Sequence, residues 1–388
     1  MELLFTKGIK GIINNSNIML SSGNRVIETN YSYVAQDVIK LEEEYNIKLL
    51  GELSTEDGLI KRDTDFNFII SKDSSLLDIS SLFYELDSKF VSLYDLIREK
   101  IFPNVDEYYS KIGDTPIFIA TEGLEPNFFF KKQEFQKSLV ESELWKLIDN
   151  ETQNKLIYMH DLSSMIGDMK NYVFNLHYNF VEAEKELYRL SCGLDQEFNI
   201  DRKNKEQYEY KYSGYHSQII SSMYMNVIIE LSSCLDIIAK FFCEITNFPI
   251  TYEKPIRFKS GSIYFSNIKR FQGKLKNYRG YTNSIVESCN NYEDLILSRH
   301  LIVHNSFFSS SPTVFHGLGT HVVNYKKINY ALMYIWDVDS EGKPERWLNR
   351  CKFYGQNRVI DDYIVTYLIK FYEQLGNTLE LIKCYLSS

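Results

Sequence analysis

Apolar residues recur every three or four positions along three long stretches of the chain, 155–191, 216–246 and 360–386. This period places them on one face of an α-helix, so the pattern predicts three long amphipathic helices. Each helix has to bury its apolar face, and we expect the three to pack together in a bundle. His177 lies beside the first apolar stripe, which favours a structural histidine over a site residue.

The first 150 residues carry shorter apolar runs, which favour a smaller region of mixed α/β structure. Strands are predicted at 47–50, 66–70 and 116–120, and helices at 34–44, 76–86 and 93–101. This region ends where the first long helical stripe begins. We therefore predict two parts, an acidic mixed α/β region at 1–150 and a helical domain at 151–388.

A Ser/Gly/Pro-rich stretch, 309–319, predicts a loop directly after the segment 291–308, which is described below. Beyond it, alternating runs predict strands at 322–328, 331–338 and 350–355, with a turn at 340–344. These elements form a β insertion at about 309–355. The predicted fold class is α+β: a mainly α-helical C-terminal part with this insertion, and a smaller mixed α/β N-terminal region.

The charge is divided unevenly between these two parts. The chain has 52 acidic and 43 basic residues, a formal net charge of −9. Residues 1–150 hold 26 acidic and 16 basic side chains, whereas 151–388 hold 26 acidic and 27 basic ones. The acidic overall balance therefore does not exclude a nucleic-acid partner for the second part.

Cysteine usage and hydropathy indicate a cytoplasmic protein. The six cysteines are scattered without a C-x-x-C pair, so we expect reduced thiols. The N-terminus has no apolar segment typical of a secretory signal. The most apolar long run, Met223–Ile245, contains Asn226, Glu230, Asp236 and Lys240, so it is not expected to span a membrane.

The segment 291–308, NYEDLILSRHLIVHNSFF, places four polar groups within an apolar run. They are Arg299, His300, His304 and Asn305. The run around them predicts a buried helix, in which a guanidinium and two imidazoles would be costly unless they served a function. The apolar residues of this helix are Leu295, Ile296, Leu297, Leu301, Ile302 and Val303.

The start and the faces of this helix can also be predicted. Asn291 is suited to cap it, with Asp294 in the first turn. At 100° per residue, His300 and His304 lie about 40° apart on one face. Arg299 and His304 lie about 140° apart, so one regular helix cannot aim both at one point. They converge if the helix ends near His304, or if a second subunit completes the site.

The order Arg, polar residue, three apolar residues, His in residues 299–304 resembles the R-x4–6-H motif of the HEPN superfamily. The segment Leu231-Ser-Ser-Cys-Leu-Asp236 resembles the second core helix of several HEPN families. The resemblance covers about residues 155–388. It implies a helical bundle that dimerises and cleaves RNA without a metal or other cofactor.

The resemblance also implies roles for the residues of the motif. His304 would act as general acid or base, and Arg299 would hold the scissile phosphate. His300 takes the polar position of the motif, and Asn305 extends the polar cluster. The reaction would use the 2′-hydroxyl of the RNA and leave a 2′,3′-cyclic phosphate and a 5′-hydroxyl.

A second set of residues supports this site in the predicted arrangement. Glu230 or Asp236 would pair with Arg299 and hold it in place. The alternative, which is about equally compatible with the sequence, is that these acids lie on the solvated outer face of the helix. A two-fold dimer would unite two Arg299–His304 pairs in one cleft. The apolar side chains of Leu297, Leu301 and Phe307 would line that interface.

Residues 254–279 form the strongest charge feature, with eight basic and no acidic side chains. Aromatic residues are interleaved, a combination that suits phosphates and unpaired bases. The alternative is a solvated surface that balances the acidic N-terminal region. The predicted RNA-binding residues within the run are Lys269, Arg270, Lys274, Lys276 and Arg279.

Two other chemistries compete with this interpretation. Gly51 followed by Asp63-Thr64-Asp65 resembles the loop and paired carboxylates of a minimal nucleotidyltransferase, which bind Mg²⁺. The alternative there is a charged loop between strands. His300 and His304 also have a spacing that suits zinc, but the Glu of H-E-x-x-H and a third ligand are absent from the segment.

We therefore predict an endoribonuclease that serves as a toxin or an anti-phage defence effector. Its partners would be RNA (tRNA, rRNA or mRNA), a second copy of the chain, and a regulatory or antitoxin protein. The N-terminal region would sense or regulate. The alternative from another class is a non-catalytic HEPN-type helical module that dimerises or binds a nucleotide.

Overall fold

The computed structural model describes most of the chain in ten segments. They are 2–22, 25–53, 79–102, 149–197, 208–246, 268–304, 311–318, 329–340, 342–348 and 351–388, with single residues at 134, 141, 146 and 309. The described part is an α+β protein in which helices predominate and the sheets are small and antiparallel. This bears out the predicted fold class at that level.

The described helices are α1 Ala35–Tyr45, α2 Ile79–Ile101, α3 Asn150–Glu197, α4 Tyr215–Ile245, α5 Gln272–Leu275, α6 Glu293–His304 and α7 Ile360–Ser387. The three long helices α3, α4 and α7 lie where the apolar stripes predict them. Short 3-10 turns, Ile268–Phe271 and Cys289–Tyr292, precede α5 and α6. Each described helix is too short or too polar to cross a lipid bilayer.

Helix α2 corrects one prediction. We expected separate helices at 76–86 and 93–101, but Ile79–Ile101 is continuous. Buried Leu86, Phe90 and Leu93 carry the apolar stripe across the intervening polar residues. Because one face stays apolar at helical spacing, nothing between the two predicted segments interrupts the helix.

Four strands near the N-terminus were not predicted. They are β1 Glu2–Phe5, β2 Ile9–Asn14, β3 Asn17–Ser22 and β4 Arg25–Ser32, and they join β5 Leu49–Leu53. The sheet is antiparallel, in the order β4-β3-β2-β1-β5. Its core comprises side chains of β1, β3 and β5 that pack with α1. Buried and less buried residues do not alternate strictly along β1, β2 and β3, so these strands lack the period of two that identifies a strand in sequence.

A second sheet corrects the predicted β insertion. It has the order β6-β7-β8, from strands Tyr208–Tyr212, Val314–Leu318 and Asn329–Leu332. β6 lies between the predicted helices 155–191 and 216–246, where no strand was predicted, and β7 lies in the predicted loop 309–319. The region 309–355 therefore pairs with a strand that precedes α4, so it is not a self-contained insertion. A hairpin of β9 Arg346–Leu348 and β10 Cys351–Lys352 follows.

The described chain divides into two compact units that do not follow the predicted boundary. Unit 1 comprises Met1–Leu86, Tyr172–Ser232 and Cys289–Leu375, and unit 2 comprises Asp87–Asn171, Ser233–Ser288 and Gly376–Ser388. Residue 150, where we predicted a boundary, falls inside a segment of unit 2. The predicted boundary follows the start of the first long apolar stripe in the sequence, whereas the units follow packing.

The proposed nucleotidyltransferase site falls largely outside the described residues. The residues outside the described part include Asp63, Asp65 and the predicted strands 66–70 and 116–120. Gly51 is described, and it lies inside β5 of the antiparallel sheet. The described part therefore shows a strand at Gly51 where the resemblance required a loop.

Candidate functional site

Helix α6 is held in unit 1 by side chains of α7. The hydroxyl groups of Ser298 and Tyr363 lie 3.2 Å apart, and the Tyr367 hydroxyl donates to the Asp294 carboxylate. In the 3-10 turn before α6, the Tyr292 hydroxyl donates to Gln374 Oε1 over 2.7 Å. Burial is the main cause that raises the pKa of Tyr363 and of Tyr367, so both phenols remain hydrogen-bond donors. These contacts fix the orientation of α6 in unit 1.

The start of α6 differs slightly from the prediction. Asn291 lies within the 3-10 turn Cys289–Tyr292, so the helix has no cap at that residue. The first turn instead contains Glu293 and Asp294, and the Asp294 carboxylate accepts a hydrogen bond from the Leu295 N–H over 2.9 Å. A carboxylate at this position stabilises the exposed N–H groups of a first turn.

The prediction that α6 is a largely buried helix is wrong. Its buried side chains are Leu295, Ser298 and Leu301, one narrow stripe at intervals of three residues. Val303 is 47% exposed. The apolar run looked like a fully buried helix because sequence periodicity does not show how many neighbours a helix has. Leu301 is buried inside unit 1 and is therefore not available to a dimer interface.

The two imidazoles of the motif lie on the side of α6 that faces away from this stripe. His300 and His304 are exposed, and Arg299 is half-buried. The two imidazole rings are 4.5 Å apart between centroids, with their planes inclined by 52°. Within the described segments, no hydrogen bond or ion pair engages the Arg299 guanidinium. Asn305 lies outside the described residues.

This placement changes the argument for the motif. Exposed imidazoles have no desolvation cost, so burial does not explain why they are there. They are instead accessible to a polymeric substrate. Helix α6 is regular as far as His304, so Arg299 still diverges from His304 by about 140°.

The acids expected to hold Arg299 have other surroundings. Glu230 accepts a hydrogen bond from Asn179 Nδ2 over 3.0 Å. Burial raises the pKa of Glu230, and the bond from Asn179 acts in the opposite direction. Asp236 is half-buried and belongs to unit 2. The structure therefore shows neither acid paired with Arg299.

The predicted RNA-binding run is exposed in unit 2, with some of its side chains already engaged. Arg270 donates to Cys243 Sγ over 3.0 Å and lies 5.0 Å from the ring of Phe271. Arg279 pairs with Glu380 over 3.7 Å. Lys269, Lys274 and Lys276 are also exposed. The part of the run at 254–267 lies outside the described residues.

The two aromatic residues in the described end of this run, Phe271 and Tyr278, do not face solvent as a stacking surface would. Phe271 is 5% exposed and stacks on Phe242. Tyr278 is half-buried, with its ring edge-on to Tyr385. The described end of the run therefore offers cations to phosphates but no free aromatic face to bases.

His177 is a structural histidine, as predicted. It is buried, its Nδ1 lies 3.2 Å from the Tyr372 hydroxyl, and its ring stacks on Phe83 at 4.3 Å. Burial lowers the pKa of His177 to about 3, so the imidazole stays neutral.

A buried ionic cluster in unit 1 was not predicted. It comprises Lys7, Glu184, Tyr224, Asp361 and Asp362. The Lys7 ammonium pairs with Asp362 over 2.9 Å, and the Tyr224 hydroxyl donates to Glu184 over 2.8 Å. Glu184 and Asp361 are fully buried. Four separate stretches of sequence supply these residues, and no local pattern marks them.

The two buried carboxyl groups of this cluster hold protons more tightly than usual. Burial raises the pKa of Asp361 to about 7, and the charge of Asp362 adds to the shift. Burial, followed by the charge of Asp361, raises the pKa of Glu184 well above its ordinary value. The cluster therefore retains a proton close to neutral pH, because two carboxylates cannot both ionise cheaply beside one lysine.

Among the described residues, no group of three or more His, Cys, Asp or Glu side chains is arranged to hold a metal ion. Within that part of the chain, His300 and His304 form a pair without a third such side chain beside them.

Comparison of the chain with protein-family models, with curated proteins and with solved structures gives no match.

Proposed function

We propose that this chain is a metal-independent endoribonuclease of the HEPN type, acting as a toxin or an anti-phage defence effector. The observation that carries the proposal is the pair of exposed imidazoles, His300 and His304, with ring centroids 4.5 Å apart at the end of α6. Arg299 lies one residue before the pair, and no ion pair within the described residues occupies its guanidinium. The motif resemblance supplies the substrate class.

The proposed reaction is transesterification within the RNA. The 2′-oxygen attacks the adjacent phosphorus, the bond from phosphorus to the 5′-oxygen breaks, and the products are a 2′,3′-cyclic phosphate and a 5′-hydroxyl. One imidazole accepts the proton of the 2′-hydroxyl, and the other donates a proton to the departing 5′-oxygen. Arg299 would bind the non-bridging oxygens and offset the charge that develops on them.

The divergence of Arg299 from His304 supports a homodimer as part of this proposal. An arginine from the partner subunit could reach the imidazole pair without breaking α6. Mixing wild type with His304→Ala at equal concentrations would then lower activity more than dilution explains. A fully active monomer at nanomolar concentration, shown by light scattering, would exclude a shared site.

The decisive experiment is an RNA-cleavage assay on the purified chain. Total tRNA and rRNA are incubated with wild type and with His304→Ala, each with and without EDTA. We expect cleavage by wild type alone, unaffected by EDTA, with 2′,3′-cyclic phosphate ends. Cleavage abolished by EDTA would favour a metal site at the two histidines instead. Intact RNA with wild type, in a chain that still dimerises, would favour the non-catalytic helical module.

The exposed cations of unit 2 would add sequence-independent affinity for RNA. Changing Lys269, Lys274 and Lys276 to Glu should weaken binding and reduce its dependence on salt, since each phosphate contact releases counterions. Lys40→Glu, on the exposed face of α1, is the matched control. Equal affinity of both variants at every salt concentration would leave the run as a solvated surface.

A further inference from the structure

Two tight turns of the five-stranded sheet contain residues in the left-handed backbone conformation, but their surroundings are opposite. Between β2 and β3 these residues are Asn15 and Ser16, and both are exposed. In the turn 6–8 between β1 and β2 they are Lys7 and Gly8, with φ of +65° and +63°, and Lys7 is 1% exposed. Glycine and asparagine adopt this conformation readily, whereas a lysine there is strained. The contacts of the Lys7 side chain must offset this strain.

The β1–β2 turn is inserted into unit 1. A Cβ atom added to Gly8 would lie 3.1 Å from the backbone of Leu187 and of Tyr188, so the turn packs directly on α3. The Lys7 carbonyl accepts a hydrogen bond from the Ala331 N–H of β8 over 3.0 Å. This turn therefore joins the five-stranded sheet to α3 and to the β6–β8 sheet.

The Lys7 ammonium enters a group of acids from two helices. It pairs with Asp362 of α7 over 2.9 Å and donates a hydrogen bond to the carbonyl of Asn46, the residue after α1. On α3, Glu184 accepts a hydrogen bond from the Tyr224 hydroxyl of α4 over 2.8 Å. One cation thus serves acids that belong to separate helices.

Asp361, at the start of α7, is the acid that the turn leaves least satisfied. Its carboxyl group is fully buried, and neither oxygen has a partner in hydrogen-bonding geometry among the described residues. A buried carboxylate in that situation costs far more than the neutral acid. Burial, followed by the charge of Asp362, raises the pKa of Asp361 to about 7, and the charge of Lys7 acts in the opposite direction. The burial and the missing donors therefore both favour a protonated Asp361.

Withdrawal of the turn would hydrate these acids. The backbone N–H groups of Lys7 and Gly8 act on Glu184, and the Lys7 ammonium acts on Asp361, so the turn borders both carboxyl groups. Once hydrated, Asp361 returns towards its ordinary pKa of 3.8, so the open form binds fewer protons than the closed form between about pH 4 and pH 7. Opening therefore becomes more favourable as the pH rises through this window.

We propose that the β1–β2 turn is a proton-dependent latch, which stays inserted while Asp361 and Glu184 are protonated and withdraws from α3 and β8 when they ionise. The charged and titratable groups that face it are Lys7 itself, Glu184, Tyr224, Asp361 and Asp362. Tyr224 does not titrate in this range, because burial raises its pKa well above the ordinary value. The latch does not depend on RNA cleavage.

Hydrogen–deuterium exchange of the full chain tests the latch. Peptides that cover residues 4–9 and 13–18 are followed by mass spectrometry from pH 5 to pH 7, and each rate is divided by the intrinsic exchange rate at that pH. The opening constant of 4–9 should rise about tenfold per pH unit for each acid that ionises. The β2–β3 turn within 13–18 is the matched control, since it also has left-handed residues but is exposed, and its opening constant should not change.

Two variants identify the acids. Asp361→Asn keeps the size of the side chain but cannot ionise, so it should lower the pH dependence of the 4–9 opening constant by about tenfold per pH unit. Glu184→Gln tests the second acid in the same way, and it remains available if Asp361→Asn does not fold. Glu28→Gln, at an exposed residue of β4, is the control variant and should behave as wild type.

Exchange in α4 separates local opening from global unfolding. The amides of 224–228 should exchange more slowly than those of 4–9 at every pH, because withdrawal of the turn leaves the helix intact. Equal exchange in the two segments overturns the latch and leaves the acids as contributors to global stability only. A 4–9 opening constant that does not change with pH in wild type also overturns it, as does a pH dependence that Asp361→Asn and Glu184→Gln both leave unchanged.

Discussion

The motif surface of α6 and the buried ionic cluster both belong to unit 1, but their polar groups are in opposite situations. Arg299, His300 and His304 are consecutive or nearly so in sequence and accessible to solvent. The cluster of Lys7, Glu184, Tyr224, Asp361 and Asp362 is drawn from four separate segments, and most of it is buried. A short sequence motif therefore points to the accessible groups, and only the fold reveals the electrostatically perturbed ones.

The two sets of polar groups differ in how much hydration each one loses when the chain folds. Exposed imidazoles stay hydrated, and a half-buried arginine stays partly so, so these groups cost the fold little and can be removed without harm to it. Buried carboxyl groups have lost their hydration, and they depend on Lys7, Tyr224 and a bound proton. We expect substitutions at the motif to change activity alone, and substitutions in the cluster to change stability alone.

The largest effect is expected at the motif. His304→Ala and Arg299→Ala should each lower RNA cleavage by about 10²–10⁴-fold, the usual contribution of an acid–base group or of a donor that stabilises transition-state charge. Their urea midpoints should match that of wild type. Val303→Ala, at the neighbouring exposed residue, is the control. Full cleavage by both motif variants would place the chemistry elsewhere.

The next effect is expected at Lys7. Lys7→Met leaves the buried carboxyl groups without their cation and should lower the free energy of unfolding by about 3 kcal/mol at pH 7. Lys10→Met removes a lysine whose side chain is 18% exposed, against 1% for Lys7, and it should cost under about 1 kcal/mol. Urea titration measures both. Equal losses in the two variants would mean that burial of Lys7 has no special weight.

The pH dependence of stability sharpens the same contrast. The pKa of Asp361 is raised to about 7 in the folded chain, so between about pH 4 and pH 7 the folded state binds more protons than the unfolded state. Stability should therefore fall by about 4 kcal/mol as the pH rises through this window and then level off. Asp361→Asn should flatten this decline. A wild-type stability that rises from pH 5 to pH 7 would contradict the proton-holding cluster.

The smallest effect is expected where α7 anchors α6. Tyr367→Phe removes the hydrogen bond to Asp294 and should cost about 1 kcal/mol of stability. The rate of RNA cleavage should change by less than about threefold, because Ser298 and the buried apolar stripe still hold the helix. Tyr215→Phe, at an exposed tyrosine, is the control. A loss of cleavage as large as that of His304→Ala would make the α6–α7 contact part of the catalytic arrangement.

Helix periodicity was the most reliable guide to the fold. The stripes of α3, α4 and α7 predicted those helices to within a few residues, because a long amphipathic pattern has many repeats. The strands β1–β3 were missed because buried and less buried residues do not alternate strictly along them, so no period of two shows. The motif residues could be named from sequence, but their exposure could not, since it depends on which side of α6 meets α7.

The sequence by itself determined the local elements that repeat over many turns and the adjacent polar groups of the 299–304 motif. Tertiary structure alone decided that α6 buries only a narrow stripe, that Glu230 binds Asn179, and that Lys7 meets Asp362. It also decided that Arg346 lies opposite Lys352 beside an exposed Trp347. The physical reason is range: helical periodicity arises between residues a few positions apart, whereas burial and ion pairing depend on partners that only the folded chain brings together.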